Sequence, residues 1–424
     1  MKKVLKVVFF TLLALSGSSL FAGSIDYLSN QSAEYVRIFN RNGALQGADI
    51  AHYNPAATAF MTQGFHVQAS NQFLLKNYEI KSDLPTVEVA DGSFESTEPT
   101  LLLPNIYAVY NGGKWAAFAS FGVTAGGGSV VYDDGTPEYN AGLYQAGMAA
   151  YAETGNIAYA SALTSNKVEG SSMYLAGTLG GAYAINDMFS VSLAAKYVNS
   201  TKSTTVEATY EGGPLDGKQK MEYEDTASGF GGILGVDVRV NSQLNIGLRI
   251  ESEIALEYER DVKKDFSSTL EDGAKMDRDL PAVIGLGAEY KINDKFMVRP
   301  TFQGYMIGWA NESKEDGYSE DYDDLGWEAG IGFEYSVMPG FMVASLGYLY
   351  SDLGGNEDTY SDGEYALDAH SIGTGFKLTP APNVDVTLGV SGTFYTEGES
   401  DAIGFDETFN KRVINIALGA EYRI

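Results

Sequence analysis

Few side chains in this sequence are suited to bond-making chemistry. The chain has 424 residues, no cysteine and three histidines, His52, His66 and His370. Without cysteine there is neither a disulfide nor a thiolate metal site. A hydrolytic triad needs a nucleophile hydrogen-bonded to a histidine that a third group orients, and no nucleophile motif accompanies any of the three. No catalytic residue, cofactor or metal site is assigned. What remains is binding chemistry. Lys196, Arg249 and Arg299 sit in alternating segments beside Tyr197, Leu248 and Val298. Successive residues of a strand point to opposite faces, so the three cations face away from the apolar side. In a low-dielectric interior a cation pairs strongly with a carboxylate. The three are therefore candidates for holding a ligand carboxylate. Glu251 and Glu253 fall on the same face as Arg249 and offer the plainer alternative, an internal ion pair.

The elements that carry these residues are strands. In Leu244–Tyr258 the even positions are apolar except Ser252, and the odd ones are Asn245, Gly247, Arg249, Glu251, Glu253, Ala255 and Glu257. Val384–Phe394 and Arg412–Ile424 alternate in the same way. Period two over more than about ten residues signals a strand of transmembrane-barrel length, whereas sandwich strands usually run about five or six. Fourteen such segments are read, at 64–80, 99–111, 114–125, 171–185, 188–210, 219–240, 243–262, 277–292, 295–311, 324–337, 341–352, 366–378, 384–397 and 411–424. Short turns (Asn111-Gly-Gly, Asn186-Asp187, Asn241-Ser242, Asn293-Asp294, Met338-Pro-Gly and Thr379–Asn383) alternate with long acidic connections, among them 81–98, 126–170 and 353–365. The strand-ending signal Gly287-Ala-Glu-Tyr-Lys-Ile292 recurs as Gly332–Val337 and as the final Gly419–Ile424. Tyr110, Tyr183, Tyr290, Tyr335 and Tyr422 would form an aromatic girdle near the short turns. The expected fold class is all-β: a transmembrane antiparallel barrel of about fourteen strands.

Composition agrees with that class. The formal charge is −28, and phosphate contacts need clustered Lys and Arg, so nucleic-acid binding is excluded. Mean hydropathy is only −0.13, as expected when apolar residues occupy every second position. Residues 1–22 read as a secretory signal, with Lys2, Lys3 and Lys6, an apolar run Val7–Leu15 and small residues up to Ala22. That run is too short to span a bilayer as a helix. Residues 23–63 are too apolar for a disordered linker and read as a plug inside the barrel, which occupies 64–424.

At Tyr53-Asn54-Pro55-Ala56, between the signal and the first strand, the sequence resembles the N-terminal hatch motif of the FadL-type outer-membrane transporters of long-chain fatty acids and other hydrophobic compounds. It departs from the family in having Ala57 where Gly is frequent, and in keeping only Asp49 of an acidic stretch. The resemblance implies a hatch-plugged fourteen-stranded barrel in the bacterial outer membrane. It also implies passive transport of a fatty acid or similar hydrophobic molecule, with sideways exit through a kinked third strand into the lipid. Gly126-Gly127-Gly128, after the third strand, are then lateral-gate candidates, since successive glycines mark a bend.

Other features have plainer readings. Gly229–Gly235 lies within an alternating strand and is barrel glycine, not a dinucleotide loop. Glu312–Asp324 is acidic but lacks the spacing of a calcium loop and reads as a solvated surface segment. The expected partners are a hydrophobic small molecule and outer-membrane lipids, with the barrel a monomer. A surface adhesive barrel and a general diffusion porin are the competing functions.

Overall fold

The computed structural model describes residues 32–83, 92–156, 163–310, 322–401 and 404–424. The expected signal, residues 1–22, lies outside the described residues. Fourteen antiparallel strands close into a barrel. They are β1 (Gly64–Ser82), β2 (Thr100–Asn111), β3 (Trp115–Tyr132), β4 (Leu163–Ala184), β5 (Phe189–Tyr210), β6 (Gly217–Arg239) and β7 (Leu244–Glu251, resumed at Glu257–Asp265). There follow β8 (Lys275–Asp277, resumed at Ala282–Lys291), β9 (Phe296–Met306), β10 (Gly326–Met338), β11 (Met342–Asp352), β12 (Ala369–Ala381), β13 (Val384–Tyr395) and β14 (Glu407–Arg423). Short pieces Ser93–Ser96 and Gly398–Ser400 extend the wall beside β1 and β14. Closure joins β1 to β14 from His66↔Arg423 to Ser82↔Glu407.

One local bond makes three of the short turns. The side-chain oxygen of Asn186 accepts from the N–H groups of Met188 and Phe189, both at 2.8 Å. Asn241 does the same for Gln243 and Leu244, and Asn293 for Lys295 and Phe296. Asparagine mimics a backbone turn in this way, so each hairpin closes without help from the barrel. Outward positions form an apolar belt: Leu179, Leu193, Phe230 and Leu234 are all more than half exposed. The five girdle tyrosines are exposed beside the short turns. On β5 the outward residues change beyond Tyr197 to Asn199, Thr201, Ser203, Thr205 and Glu207, so the strands continue past the belt on the side of the long connections. No described helix is long and apolar enough to cross a membrane. A closed barrel wearing an apolar belt is the surface of an outer-membrane protein.

Residues 32–63 fill the barrel. They form α1 (Ala33–Val36), α2 (Ile50–Tyr53) and a 3₁₀ turn over Pro55–Phe60, nearly all buried. The segment fits because inward wall positions are glycine where its backbone passes. A Cβ on Gly247 would collide with the Asn42 carbonyl oxygen, and one on Gly43 would lie 2.5 Å from the Ala288 Cα.

Three expectations need correction. Segment 126–170 is not a plain loop: β3 runs on to Tyr132, α3 (Pro137–Thr154) follows, and β4 begins at Leu163. The turn after β12 is shorter than read, because Thr379–Ala381 belong to the strand. Alternation in Leu244–Tyr258 also reverses. Asn245, Arg249 and Glu251 face inward as read, but beyond the break after Glu251 it is Ile254, Leu256 and Tyr258 that are buried inside, with Glu253 and Glu257 turned away.

Gly247→Val should expel residues 32–63 without opening the barrel. The expected outcome is raised ion conductance in a planar bilayer with unchanged heat-modifiable gel mobility, and wild-type conductance would contradict the packing described.

Candidate functional site: the plugged lumen and its wall

The plug has two unlike sides. Its ionic side faces β8 to β14. Arg37 pairs with Glu34 and reaches Glu334 at 2.5 Å, and Glu334 also pairs with Arg299 at 2.9 Å. Arg41 donates to both oxygens of Asp49 (2.5 and 2.9 Å), which also accepts from the Ser32 hydroxyl at 2.8 Å. Glu421 accepts from the Ala48 N–H at 3.2 Å and meets the His66 ring at 3.2 Å. The apolar side faces β2 to β6, where Ala48, Ile50, Ala51 and Ala57 pack on Tyr107, Phe118, Ala182 and Ile233.

Asn54 and Ala56 of the Tyr53–Ala56 motif are hydrogen-bonded to the wall, Tyr53 is held within the plug, and the fixed φ of Pro55 starts the 3₁₀ turn. Tyr53 stacks on Tyr35 with ring centroids 5.2 Å apart. The Asn54 amide donates to Asp237 at 2.7 Å, and Asn245 donates to the same oxygen at 2.7 Å. The Ala56 carbonyl accepts from Ser190 at 2.8 Å.

The structure brings Lys196 and Arg249 together and leaves Arg299 apart. All three are buried and face inward. Lys196 Nζ lies 2.5 Å from Glu251, and Arg249 lies 3.9 Å from the same carboxylate while donating to the His52 carbonyl at 2.8 Å. Arg299 is held between Glu289 (2.8 Å) and Glu334 (2.9 Å). Each cation thus already has an acidic partner. Glu289 and Glu334 were missed in the sequence, because cross-strand register decides who faces whom and a single strand does not reveal it. His370 lies on the exposed face of β12, with Nδ1 2.8 Å from the Tyr348 hydroxyl.

The wall itself is interrupted beside β3. β2 and β3 pair from Asn111↔Ala116 only as far as Asn105↔Gly122. Beyond that, among the described residues, β2 continues to pair with β1 while β3 pairs with β4. Pro104, which has no N–H to give, stands at the margin. β3 shifts register against β4 between Val123 and Ala125 and again between Ala125 and Gly128, and Gly126 and Gly128 take φ of 86° and 83°. Leu101 and Leu102 are both exposed, though alternation would hide one. The glycine-rich stretch is thus a bulged strand bordering a lapse in the backbone ladder, beyond which Thr100 packs against Gly128 and the Val131 N–H donates to the Ser96 hydroxyl at 2.9 Å. Segment 311–321, most of the acidic Glu312–Asp324 run, lies outside the described residues.

The outer mouth is closed by residues 353–368. Leu353, Thr359, Asp362, Ala366 and Leu367 are almost fully buried. The N-terminus of α3 pins this lid. Glu138 N–H donates to Asp362 at 2.7 Å, and Asp362 N–H donates back to Glu138 at 3.3 Å. The carboxyl of Glu407, at the outer end of β14, is buried nearby. Burial raises Glu138, and the Asp362 charge adds to it. Burial pushes Asp362 up to about 7. Burial, with the charges of Asp362 and Glu138, pushes Glu407 up to about 10. The other charged groups here are Glu364, which pairs with Arg278, and Lys411, which donates to the Tyr365 carbonyl at 2.5 Å.

Two outcomes follow. Removing one partner of a buried pair strands the other, at about 3–5 kcal/mol. Arg41→Ala should therefore expose the plug to protease, and Arg41→Ala with Asp49→Ala should recover much of the protection; equal cleavage of single and double variants would argue against the pair. For the lid, carboxyls raised in the closed state hold more protons closed than open. Closure is then strongest in acid and weakens as pH rises from the ordinary carboxylate range near 4 through about 7 and on towards 10. A spin label at Asp358→Cys should gain mobility over that window, and less so in Glu407→Gln; a flat profile would contradict the reading.

No family model and no curated protein sequence matches the chain. Solved structures do. A FadL homologue of Pseudomonas aeruginosa aligns over 95% of this chain and 100% of its own, at 15% identity and a TM-score of 0.68. The toluene transporter TodX of Pseudomonas putida aligns over 95% and 100%, at 13% identity and 0.65. The toluene transporter TbuX of Ralstonia pickettii aligns over 89% and 94%, at 14% identity and 0.59. The chain therefore has the plugged fourteen-stranded barrel fold of the FadL-type outer-membrane transporters.

Proposed function

We propose that the protein carries small hydrophobic molecules across the outer membrane without an energy source. The observation that carries this reading is the lapse in the wall between β2 and β3, set directly above the apolar side of the plug. A molecule arriving from the outer lumen would meet that side and leave sideways into lipid, where it is more soluble than in the periplasm. Residues 32–63 act as a hatch in this scheme, and residues 1–22 as the export signal. The fold neighbours that transport toluene support the class of cargo.

Two kinds of cargo suit the lumen. A fatty acid would place its carboxylate at Lys196 and Arg249 in exchange for Glu251. An uncharged hydrocarbon needs no cation, and Glu251 already satisfies Lys196. The pairing distance of 2.5 Å favours the second reading, because displacing a buried partner leaves that charge unpaired.

Uptake of labelled oleate and labelled toluene by cells carrying the protein separates the two. Lys196→Ala combined with Glu251→Gln removes the Lys196 pair and leaves Arg249 held by its bond to the His52 carbonyl. Loss of oleate uptake alone would assign a carboxylate site; unchanged toluene uptake with negligible oleate uptake in every variant would assign an uncharged cargo. Deleting residues 24–60 should keep the barrel and abolish selectivity. Unchanged selectivity after that deletion would reject the hatch.

A further inference from the structure

The backbone ladder lapses a second time, four strands further round the barrel. β6 and β7 pair from Arg239↔Asn245 to Ile233↔Glu251, and again from Thr226↔Glu259 outward. Between these stretches β7 leaves the wall and turns into the barrel over Ser252–Leu256. Glycine makes room for the turn: a Cβ on Gly229 would collide with the Ala255 carbonyl, and one on Gly231 would lie 2.7 Å from Ile254. The segment stays tied to β8, through mutual Ile254–Leu280 backbone bonds of 3.0 Å and a 2.7 Å bond from Leu256 N–H to Asp279. On the β6 side its anchor is Ser252, bonded to Gly232. Behind it, on the outer face of the barrel, is a polar cleft of about 910 Å³ lined by Asn199, Thr226, Ser228, Glu257 and Glu259. Water rather than lipid therefore backs the segment.

The turn carries two large apolar side chains inside. Ile254 and Leu256 are 1% and 0% exposed. They join an apolar band on the inner wall formed by Ala125, Tyr174, Val198, Ala227 and Tyr258. Ala125 is the residue of β3 that lies between the two register shifts beside the first lapse. The band running from β7 to that point is an apolar track along the inner wall, flanked by the buried Lys202, whose Nζ lies 4.8 Å from the Tyr258 ring.

We propose that Ile254 and Leu256 are the specificity-determining residues of this track, occupying the space a hydrophobic cargo must take and setting the largest cargo that passes. The proposal rests on the transport reading above. Cargo displaces the Ser252–Leu256 segment towards the wet cleft, hinged on β8. Shortening either side chain widens the track, and enlarging one narrows it.

The test uses the full-length protein in cells and a graded series of labelled alkylbenzenes, from toluene to hexylbenzene. Ile254→Ala and Leu256→Ala should raise uptake of the largest probes several-fold and leave toluene uptake near wild type. Ile254→Phe should do the reverse. Ion conductance should stay at wild-type level, which separates a changed selector from a loosened plug, and heat-modifiable mobility verifies folding. An unchanged size profile in all three variants, with an active wild type, would overturn this inference and leave the transport reading standing. A wild type that takes up no member of the series would overturn the transport reading, and this inference with it.

Discussion

Inside a membrane, a backbone N–H or C=O that finds no partner costs several kcal/mol, so a spanning sheet must close on itself. Every other feature of this protein depends on that constraint. It joins β1 to β14, it turns polar side chains into the lumen, and it creates the need for something to fill that lumen. It also gives weight to the places where pairing stops. The wall lapses between β2 and β3 and between β6 and β7. In both, a strand bends, glycines lie alongside, and apolar side chains gather on the inner face.

The plug answers the same constraint from within. Arg37 and Glu34 reach Glu334 on β10 and Lys377 on β12, while Ala48, Ile50, Ala51 and Ala57 pack on β2 to β6. Buried pairs of this kind add little net stability, because desolvation offsets the attraction. What they give is position: an Arg37 moved off Glu334 would be a buried charge alone. The ionic side therefore holds the plug in register, and the softer apolar side is the one beside the first lapse. On the apolar side the polar ties include those of Asn54 to Asp237 and of Ser190 to the Ala56 carbonyl.

Much of this was legible in the chain, and the rest was hidden for identifiable reasons. Alternation and the turn asparagines Asn186, Asn241 and Asn293 located the strands, because both signals are local. Inward placement of Lys196, Arg249 and Arg299 followed from parity alone. Their partners Glu289 and Glu334 did not, since register across strands is a property of the closed sheet. α3 was missed because Pro137–Thr154 mixes glycine, alanine and tyrosine without an apolar stripe. The reversal after Glu251 was missed because its cause is Gly229 and Gly231 on the neighbouring strand, more than twenty residues earlier. A pattern in Leu244–Tyr258 interrupted only at Ser252 concealed a change of face.

The central claim is that hydrophobic molecules travel inside this barrel and leave between β2 and β3. The most direct measurement is photolabelling of the membrane-embedded protein with a diazirine-bearing hydrocarbon, followed by mass-spectrometric mapping of the modified residues. The account predicts labels on inward positions of the track and the first lapse, such as Tyr174, Ile254, Ala125 and Leu103, that an excess of unlabelled hydrocarbon suppresses. Labels confined to belt residues such as Leu179, Leu193 and Leu234, with none inside, would contradict it.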